Sequence, residues 1–306
     1  MKWKWFFIFF SVVCVLLSLY ELTINGLNFG ADFLGGTKLI VQFDSKITGE
    51  EIRAQTADLD IGDVQIVPFG NDSSLNQYIL RAKYVEGKDV PQLLKDRFFS
   101  AFGENEIVVK SEEIVGPRVG QDLKRKGFLS IVLSCLLILV YIGFRFDFLF
   151  APGAVVALIH DVVISVGVFA FFGKEFNLPI LAALLTIIGY SINDTIIIYD
   201  RIRENVTKYY KIHSISDIID VSLTETFRRT IVTSLTVFIV VLVLFYLGGG
   251  VLHDFAFCMM IGVVFGTYSS LFIASPLYLG LQKLFPSKGM VSTAKKEEQR
   301  RVRQVA

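Results

Sequence analysis

The chain has 306 residues, of which 53% are hydrophobic, and a formal net charge of +1. Its mean hydropathy of +0.57 is too high for a soluble domain of this length and indicates a membrane protein. A near-neutral charge gives no reason to expect nucleic acid as a partner. The three cysteines lie in apolar runs and the three histidines lack a metal-ligand spacing, so we predict no disulfide, metal site or cofactor.

Six stretches of the chain are long and apolar enough to cross a bilayer as helices. They run approximately over residues 5–22, 127–144, 148–172, 178–199, 230–247 and 255–281. The first could belong to a signal peptide, but no small-residue cleavage site follows it, so we interpret it as a retained span. The sequence therefore predicts a polytopic α-helical membrane protein with six transmembrane helices.

Positive charges near the span ends predict the orientation of the chain. Lys and Arg concentrate at the N-terminus, between spans four and five, and in the tail, whereas the turns after spans three and five carry almost none. Because an even number of spans places both termini on one side, these three basic sets indicate cytoplasmic termini. Three positive charges just before span two conflict with this orientation, namely Lys124, Arg125 and Lys126. We keep the orientation because several other loops support it. The expected division is a first transmembrane helix (1–22), an extracytoplasmic domain (23–126), a five-helix membrane region (127–285) and a basic cytoplasmic tail (286–306).

The segment between the first two spans alternates strand and helix patterns. Four stretches have strand character, at residues 37–43, 64–69, 76–84 and 107–115. The turn between the second and third is rich in turn-forming residues, namely Gly70, Asn71, Asp72 and Ser73. Thr48 and Glu51 fit a capping box that opens a helix to about residue 59, and a second helix is predicted over 90–102. The order βαββαβ predicts one extracytoplasmic α+β ferredoxin-like domain between helices one and two.

The fourth span carries a carboxylate, Asp194. Three isoleucines follow it before the charged residues at the end of the span. An ionisable group at membrane depth is expensive and normally faces a bundle interior or water. An interfacial aspartate that reaches toward the cytoplasm is the alternative, but this side chain is too short to reach far. We therefore predict that Asp194 carries a proton.

Two further charged residues are candidate members of a proton relay. Asp161, which follows His160, lies near the middle of span three and would form a second step at another depth; a structural hydrogen bond to a neighbouring helix is an equally good interpretation. Arg229 opens span five and could pair with Asp194, whereas Arg228 fits a positive-inside anchor. Small and polar residues of span four are expected around the relay, namely Gly189, Ser191, Asn193 and Thr195.

Sequence motifs for enzymatic chemistry are missing from the spans. No nucleophile-elbow or zinc-protease pattern occurs there, and the glycine triplet at 248–250 lacks the lysine of a phosphate-binding loop. We therefore predict no catalytic residue and no nucleotide site. Energy for any transport would have to come from the membrane gradient or from a partner.

Five segments occur in an order that resembles the SecF family of bacterial protein-export subunits, within the resistance-nodulation-division superfamily. They read GLNFGADFLGGTKL (26–39), VGPRVGQDL (115–123), ALIHDVVIS (157–165), IGYSINDTIIIYDRIREN (188–205) and VSLTETFRRTIVTS (221–234). The resemblance covers essentially the whole chain. Its family motif positions on either side of the polar segment are Asp32, Gly35, Gly36, Thr37, Gly116, Pro117 and Gly120. Asn28 and Ala31 fit the entry motif more loosely.

This resemblance implies a role and partners. The family is thought to use the proton-motive force to pull or release translocating polypeptide on the outer face of the bacterial cytoplasmic (inner) membrane. Its partners are SecD, whose six spans would complete a twelve-span bundle, and the SecY channel complex. The residues that the resemblance implicates in proton passage match Asp194 and Arg229, and Asp161 matches the span-three motif.

Two alternatives stay open at this stage. The chain could be a half-size exporter of small molecules or lipids from the same superfamily. It could also be a translocon assembly factor that transports nothing, with Asp194 only pairing with Arg229. The coupling ion, proton or sodium, is likewise left open by a single carboxylate.

Overall fold

The computed structural model describes residues 4–69, 76–146 and 148–285. Its elements in chain order are α1 (Lys4–Ile24), β1 (Asn28–Phe29), α2 (Ala31–Leu34), β2 (Gly36–Phe43), α3 (Gly49–Thr56), β3 (Gln65–Pro68), β4 (Gln77–Lys83), α4 (Val90–Phe102), β5 (Ile107–Val115), α5 (Pro117–Arg145), α6 (Ala151–Phe171), β6 (Glu175–Phe176), α7 (Leu178–Tyr209), α8 (Ile215–Leu247), α9 (Gly249–Ser269) and α10 (Ser275–Leu284). The predicted turn at 70–73 and the basic tail at 286–306 lie outside the described residues.

Six helices of the described chain are long and apolar enough to cross a membrane, which confirms the predicted fold class. Each predicted span lies largely within one of them, but several helices are longer than their apolar runs. Helix α5 begins ten residues earlier, at Pro117, helix α7 continues to Tyr209, and helix α8 begins at Ile215. A helix can continue past the apolar run because its backbone hydrogen bonds need no apolar side chains. An apolar run therefore predicts which part of a helix lies in the bilayer, and it does not predict where the helix ends.

The polar segment forms a four-stranded antiparallel sheet with strand order β3-β4-β2-β5. This is the order of a ferredoxin-like fold, as the βαββαβ pattern predicts. Alternate residues of β2 point into a core that α3 and α4 close from one side. The most deeply buried members of this core include Leu39, Val41, Phe43, Ile52, Leu80 and Leu94.

The predicted capping box at the start of α3 is present. Thr48 Oγ1 accepts a hydrogen bond from the Glu51 backbone N–H at 3.3 Å, and the Glu51 carboxylate accepts one from the Thr48 backbone N–H at 2.7 Å. The Thr48 backbone N–H and then the Thr48 hydroxyl, which both donate to the Glu51 carboxylate, hold the pKa of that carboxyl below its usual value.

Replacing Thr48 with Ala is expected to weaken α3, because it removes an acceptor for the first orphan N–H groups of the helix. Loss of such a cap costs about 1 kcal/mol, which corresponds to roughly fivefold faster amide exchange. Hydrogen–deuterium exchange of residues 49–56 in the full-length chain measures this. Ser45→Ala, an exposed hydroxyl three residues earlier, is the control; equal exchange in the two variants would contradict the prediction.

The membrane helices pack around a central group. Helices α6, α7 and the continuous α9–α10 bury about half of the residues in their apolar windows, whereas α1, α5 and α8 bury less than a fifth of theirs. Two glycines on α9 allow close approach to α7, since a Cβ at Gly262 would overlap Ile187 and one at Gly266 would lie 3.1 Å from Ser191 Cβ. Helix α7, which carries Asp194, therefore lies against α6, α8 and α9.

A five-residue π-helical segment, Ser270–Ala274, joins α9 to α10. Pro276 lies two residues after its end and has no N–H to donate to the preceding turn, so the local backbone widens. Within this segment Ser275 Oγ donates to Ser270 O at 3.2 Å. The proline that interrupts the sixth apolar stretch thus shifts the hydrogen-bond register and does not end the helix.

Candidate functional site

Asp161 lies fully buried in α6 and is satisfied by three side chains. Its Oδ2 accepts hydrogen bonds from Ser191 Oγ of α7 at 2.6 Å and from Ser269 Oγ of α9 at 2.8 Å. Its Oδ1 lies 3.0 Å from His160 Nδ1. The structural hydrogen bonds to neighbouring helices that the sequence left open are therefore present, and they join three helices at one carboxylate.

More buried hydroxyls lie beside this carboxylate, at the start of the π-helical segment. Ser270 Oγ donates to Gly266 O at 2.9 Å, and it shares a hydrogen bond with Thr195 Oγ1 at 2.9 Å. Ser191, Thr195, Ser269 and Ser270 are each almost completely buried. Thr195 Oγ1 and Ser270 Oγ each also lie 3.3 Å from Ser191 O, so a backbone carbonyl separates this hydroxyl pair from Ser191 Oγ.

Asp194 is also buried, with 1% of its surface exposed, but it is poorly satisfied. Its Oδ2 has one long contact, 3.4 Å to Ser234 Oγ of α8, and its Oδ1 has no hydrogen-bond partner among the described residues. Ser234 Oγ also lies 2.6 Å from Thr267 Oγ1 of α9 and 2.8 Å from Thr230 O. A buried carboxylate with an unused oxygen is costly in its ionised form and is suited to holding a proton.

Arg229 lies on α8 five residues before Ser234, and its side chain is exposed. Among the described residues no ion pair joins it to Asp194, whose Oδ2 contacts Ser234 and whose Oδ1 has no hydrogen-bond partner. The hypothetical pairing of Asp194 with Arg229 is therefore absent from this arrangement. Arg229 remains a predicted relay residue at the edge of the site.

The four residues expected around the relay divide between two faces of α7. Ser191 and Thr195 join the buried hydroxyls, whereas Gly189 and Asn193 are exposed. A Cβ at Gly189 would meet nothing within 4 Å, so open space adjoins this position of α7. Successive helical residues are rotated by about 100°, so neighbours in sequence can face different surroundings.

The two carboxylates belong to adjoining parts of one polar cluster. Ser191, which binds Asp161, precedes Asp194 by three residues on α7, a rise of about 4.5 Å. Asp161 faces α7 and α9, and Asp194 faces α8, with no hydrogen bond between them among the described residues. The two steps at different depths, and proton passage through them, stay predictions.

Sequence reasoning missed four of the hydroxyls, namely Ser234, Thr267, Ser269 and Ser270. In a helix such groups bond backbone oxygens of the preceding turn, as Thr267 does with Val263 O at 2.8 Å, so they fit apolar runs without a hydropathy penalty. The consecutive serines at 269–270 are the signal that could have identified the site.

The family motif residues lie away from the carboxylates, where the sheet domain meets the membrane helices. Gly35 has a φ of +80°, and a Cβ there would lie 2.8 Å from Pro117 Cα; a Cβ at Gly120 would lie 2.9 Å from Phe33 O. The entry and exit motifs of the domain thus pack backbone to backbone.

The other motif residues make separate contacts. Asp32 Oδ2 accepts a hydrogen bond from Leu178 N at 2.9 Å. Thr37 is buried in β2, Gly36 has no room for a side chain beside Ala82 O, and a Cβ at Gly116 would meet nothing within 4 Å.

The described part of the chain gives no indication of a metal centre. No group of three or more His, Cys, Asp or Glu side chains lies together in a way that could hold an ion, within the residues that are described. The chemistry available at the buried cluster is that of two carboxylates, one imidazole and several hydroxyls, which can exchange protons.

Comparisons with known proteins identify the family. The model of the C-terminal region of the SecD/SecF protein export membrane proteins matches residues 95–284, and the SecD/SecF GG motif matches residues 22–47. Protein translocase subunit SecF of Desulfurispirillum indicum is 41% identical over 274 residues, which cover 87% of this chain and 86% of that protein. SecF of Vibrio alginolyticus is 39% identical over 285 residues, covering 92% and 90%.

Solved structures agree with these sequence matches. The crystal structure of SecDF, a translocon-associated membrane protein from Thermus thermophilus, superposes with a TM-score of 0.81 at 31% identity and 92% coverage of this chain. A second SecDF structure, in a super-membrane-facing form, gives a TM-score of 0.68 at 31% identity. This chain spans 38% of the first SecDF chain and 39% of the second. The chain therefore belongs to the SecD/SecF family of protein export membrane proteins, as a multi-pass SecF subunit of the protein translocase.

Proposed function

We propose that this chain couples the proton-motive force to a late step of polypeptide export, through reversible protonation of Asp194. The observation that carries the proposal is the burial of Asp194 between α7, α8 and α9 with one carboxylate oxygen unpaired among the described residues. An ionised carboxylate in that position is unfavourable unless water or a cation reaches it, whereas the protonated form is not. A change in packing around α7 would therefore change the protonation state of Asp194.

The neighbouring hydroxyls support a path for the proton. Ser234, which is bonded to Thr267, contacts one side of Asp194. Ser191 donates to Asp161, and the bonded hydroxyls of Thr195 and Ser270 lie next to it. Asp161 is the second proposed relay residue, and Arg229 is proposed to act at the edge of the site when the packing changes. The full chain of transfers is a hypothesis about motion, because no hydrogen bond joins the two carboxylates among the described residues.

The proposed setting is the bacterial cytoplasmic membrane, with both termini in the cytoplasm and the ferredoxin-like domain (within 23–126) outside. The distribution of Lys and Arg supports this orientation. SecD is the partner that the family assignment supplies, and the SecY channel complex and the translocating polypeptide are proposed partners on the strength of the family's role. The relatives are named as translocase subunits, which favours this function over export of small molecules or lipids.

Proton flux through the reconstituted complex tests the proposal. Proteoliposomes that contain the chain with its SecD partner are expected to show a proton influx under an imposed gradient. Asp194→Asn is expected to remove this influx, because an amide does not take up and release a proton in the pH range of the measurement. A sodium gradient in place of the proton gradient identifies the ion.

Asp200→Asn is the matched control, since Asp200 is an exposed carboxylate on the same helix. It is expected to leave the flux unchanged. If Asp194→Asn conducts protons as the parent does, the proposed coupling is wrong and a purely structural role in translocon assembly gains support.

A further inference from the structure

The proton relay assigns no role to the motif at residues 26–37, and the structure shows what that motif contacts. Strand β1 pairs in parallel with β6, the two-residue strand between α6 and α7, with Asn28 opposite Glu175 and Phe29 opposite Phe176. The Gly30 backbone N–H donates to Phe176 O at 2.8 Å. The entry to the sheet domain is thus bonded to the connection that leads into α7.

A buried ion pair lies at the centre of this contact. Glu175 of β6 pairs with Arg81 of β4, and the two side chains are 8% and 16% exposed. Burial raises the pKa of the Glu175 carboxyl, the Arg81 guanidinium acts in the opposite direction, and Asp32 adds to the increase. Because β4 is an inner strand of the four-stranded sheet, Arg81 carries the contact directly into the body of the domain.

Two further contacts act on the same connection. A Cβ at Gly30 would overlap Glu175 Oε1, so only glycine at this position leaves room for the carboxylate where it lies. Asp32 Oδ2 accepts from Leu178 N, the first residue of α7, at 2.9 Å, and a carboxylate is favourable at a helix N-terminus. Main-chain pairing, an ion pair and a helix cap therefore converge within four residues, 175–178.

We propose that these contacts form a rigid joint, in which Glu175 and Arg81 are positioning residues that lock the ferredoxin-like domain onto the start of α7. The joint consists of Gly30, Asp32, Arg81 and Glu175 with the β1–β6 pair. Since α7 also carries Asp194, a tilt of this helix would be passed to the domain as a whole-body movement. The proposal concerns mechanical connection alone and does not depend on which ion is coupled.

Electrostatics distinguishes this joint from an ordinary surface contact. Exposed ion pairs contribute little, but placing two like charges in a buried contact is strongly unfavourable. Reversing either charge is therefore expected to release the domain, and reversing both is expected to restore the joint. A role that depended only on the size of these side chains would not show such reciprocity.

Distance measurement between two spin labels tests the joint in the full-length chain purified with SecD. One label is placed at Ser100, exposed on α4, and one at Leu247, exposed at the end of α8, after replacement of Cys14, Cys135 and Cys258 by Ala. The parent is expected to give one narrow distance peak. Arg81→Glu and Glu175→Arg are each expected to lose it, and the double variant is expected to recover it.

Two more variants complete the design. Gly30→Ala is expected to lose the narrow peak without any change in charge, because the added methyl displaces the Glu175 carboxylate. Arg97→Glu, which breaks the more exposed pair with Asp58 elsewhere in the same domain, is expected to keep it. A peak that stays narrow in Arg81→Glu and in Gly30→Ala, or a double variant that does not recover it, would overturn the proposal.

Discussion

Replacing Asp194 with Asn is expected to abolish the part of polypeptide export that depends on the proton gradient. Asn has nearly the same shape as Asp, so the packing of α7 against α8 and α9 is preserved in a site that is only 1% exposed. What is lost is the exchangeable proton. Since one elementary charge moved through 100 mV is worth about 2.3 kcal/mol, a cycle of several protons loses its entire driving force.

Inverted membrane vesicles measure this effect directly. Protection of a secretory polypeptide from added protease is followed with and without an imposed gradient, so that the gradient-dependent part is obtained by difference. We expect no gradient-dependent part in Asp194→Asn and normal amounts of the variant bound to SecD. Export that still responds fully to the gradient would exclude Asp194 as the coupling residue.

Replacing Gly262 with Ala is expected to destabilise the membrane bundle. The new methyl group would overlap Ile187, which is completely buried on α7. Overpacking of this kind typically costs about 1–3 kcal/mol, more than the roughly 1 kcal/mol that Ala gains over Gly in a helix. The midpoint of thermal aggregation of the purified complex in detergent is expected to fall.

A second substitution separates this steric effect from other causes. Ile187→Ala removes the overlapping atoms, so the double variant is expected to be more stable than Ile187→Ala alone, because the methyl group introduced by Gly262→Ala fills part of the cavity. Gly189→Ala is the control on α7, where open space surrounds the added methyl. If Gly262→Ala and Gly189→Ala behave alike, the close packing of α7 and α9 is not what stabilises the bundle.

Much of the fold could be predicted because its signals are local. Apolar runs of span length identify the membrane helices, and Thr48 with Glu51 identifies the start of α3. Period-two alternation identifies the strands of the ferredoxin-like domain, whose second helix and fourth strand have the predicted bounds. Asp161 and Asp194 could be selected as site residues because a carboxylate in an apolar run is visible without knowing its neighbours.

The surroundings of those carboxylates could not be predicted. Ser269 and Thr267 come from a helix more than a hundred residues after Asp161 in the chain, and their hydroxyls leave almost no trace in hydropathy. Gly189 and Asn193 were expected in the site from sequence proximity, yet the helical rotation places them on the exposed face. The pair of Arg81 and Glu175 had no signal, since each residue is unremarkable in its own segment.

The sequence by itself determined that this is a six-span membrane protein with a small α+β domain, since bilayer thickness and backbone hydrogen bonding allow few other outcomes for such a pattern. Tertiary structure alone decided which polar groups of the described residues meet: that Asp161 is satisfied by α7 and α9, that Asp194 keeps an unpaired oxygen, and that Glu175 binds the sheet domain. The reason is physical. Span formation depends on the transfer of one segment into the bilayer, whereas hydrogen bonds and ion pairs depend on rotations and separations of a few ångströms between segments distant in the chain.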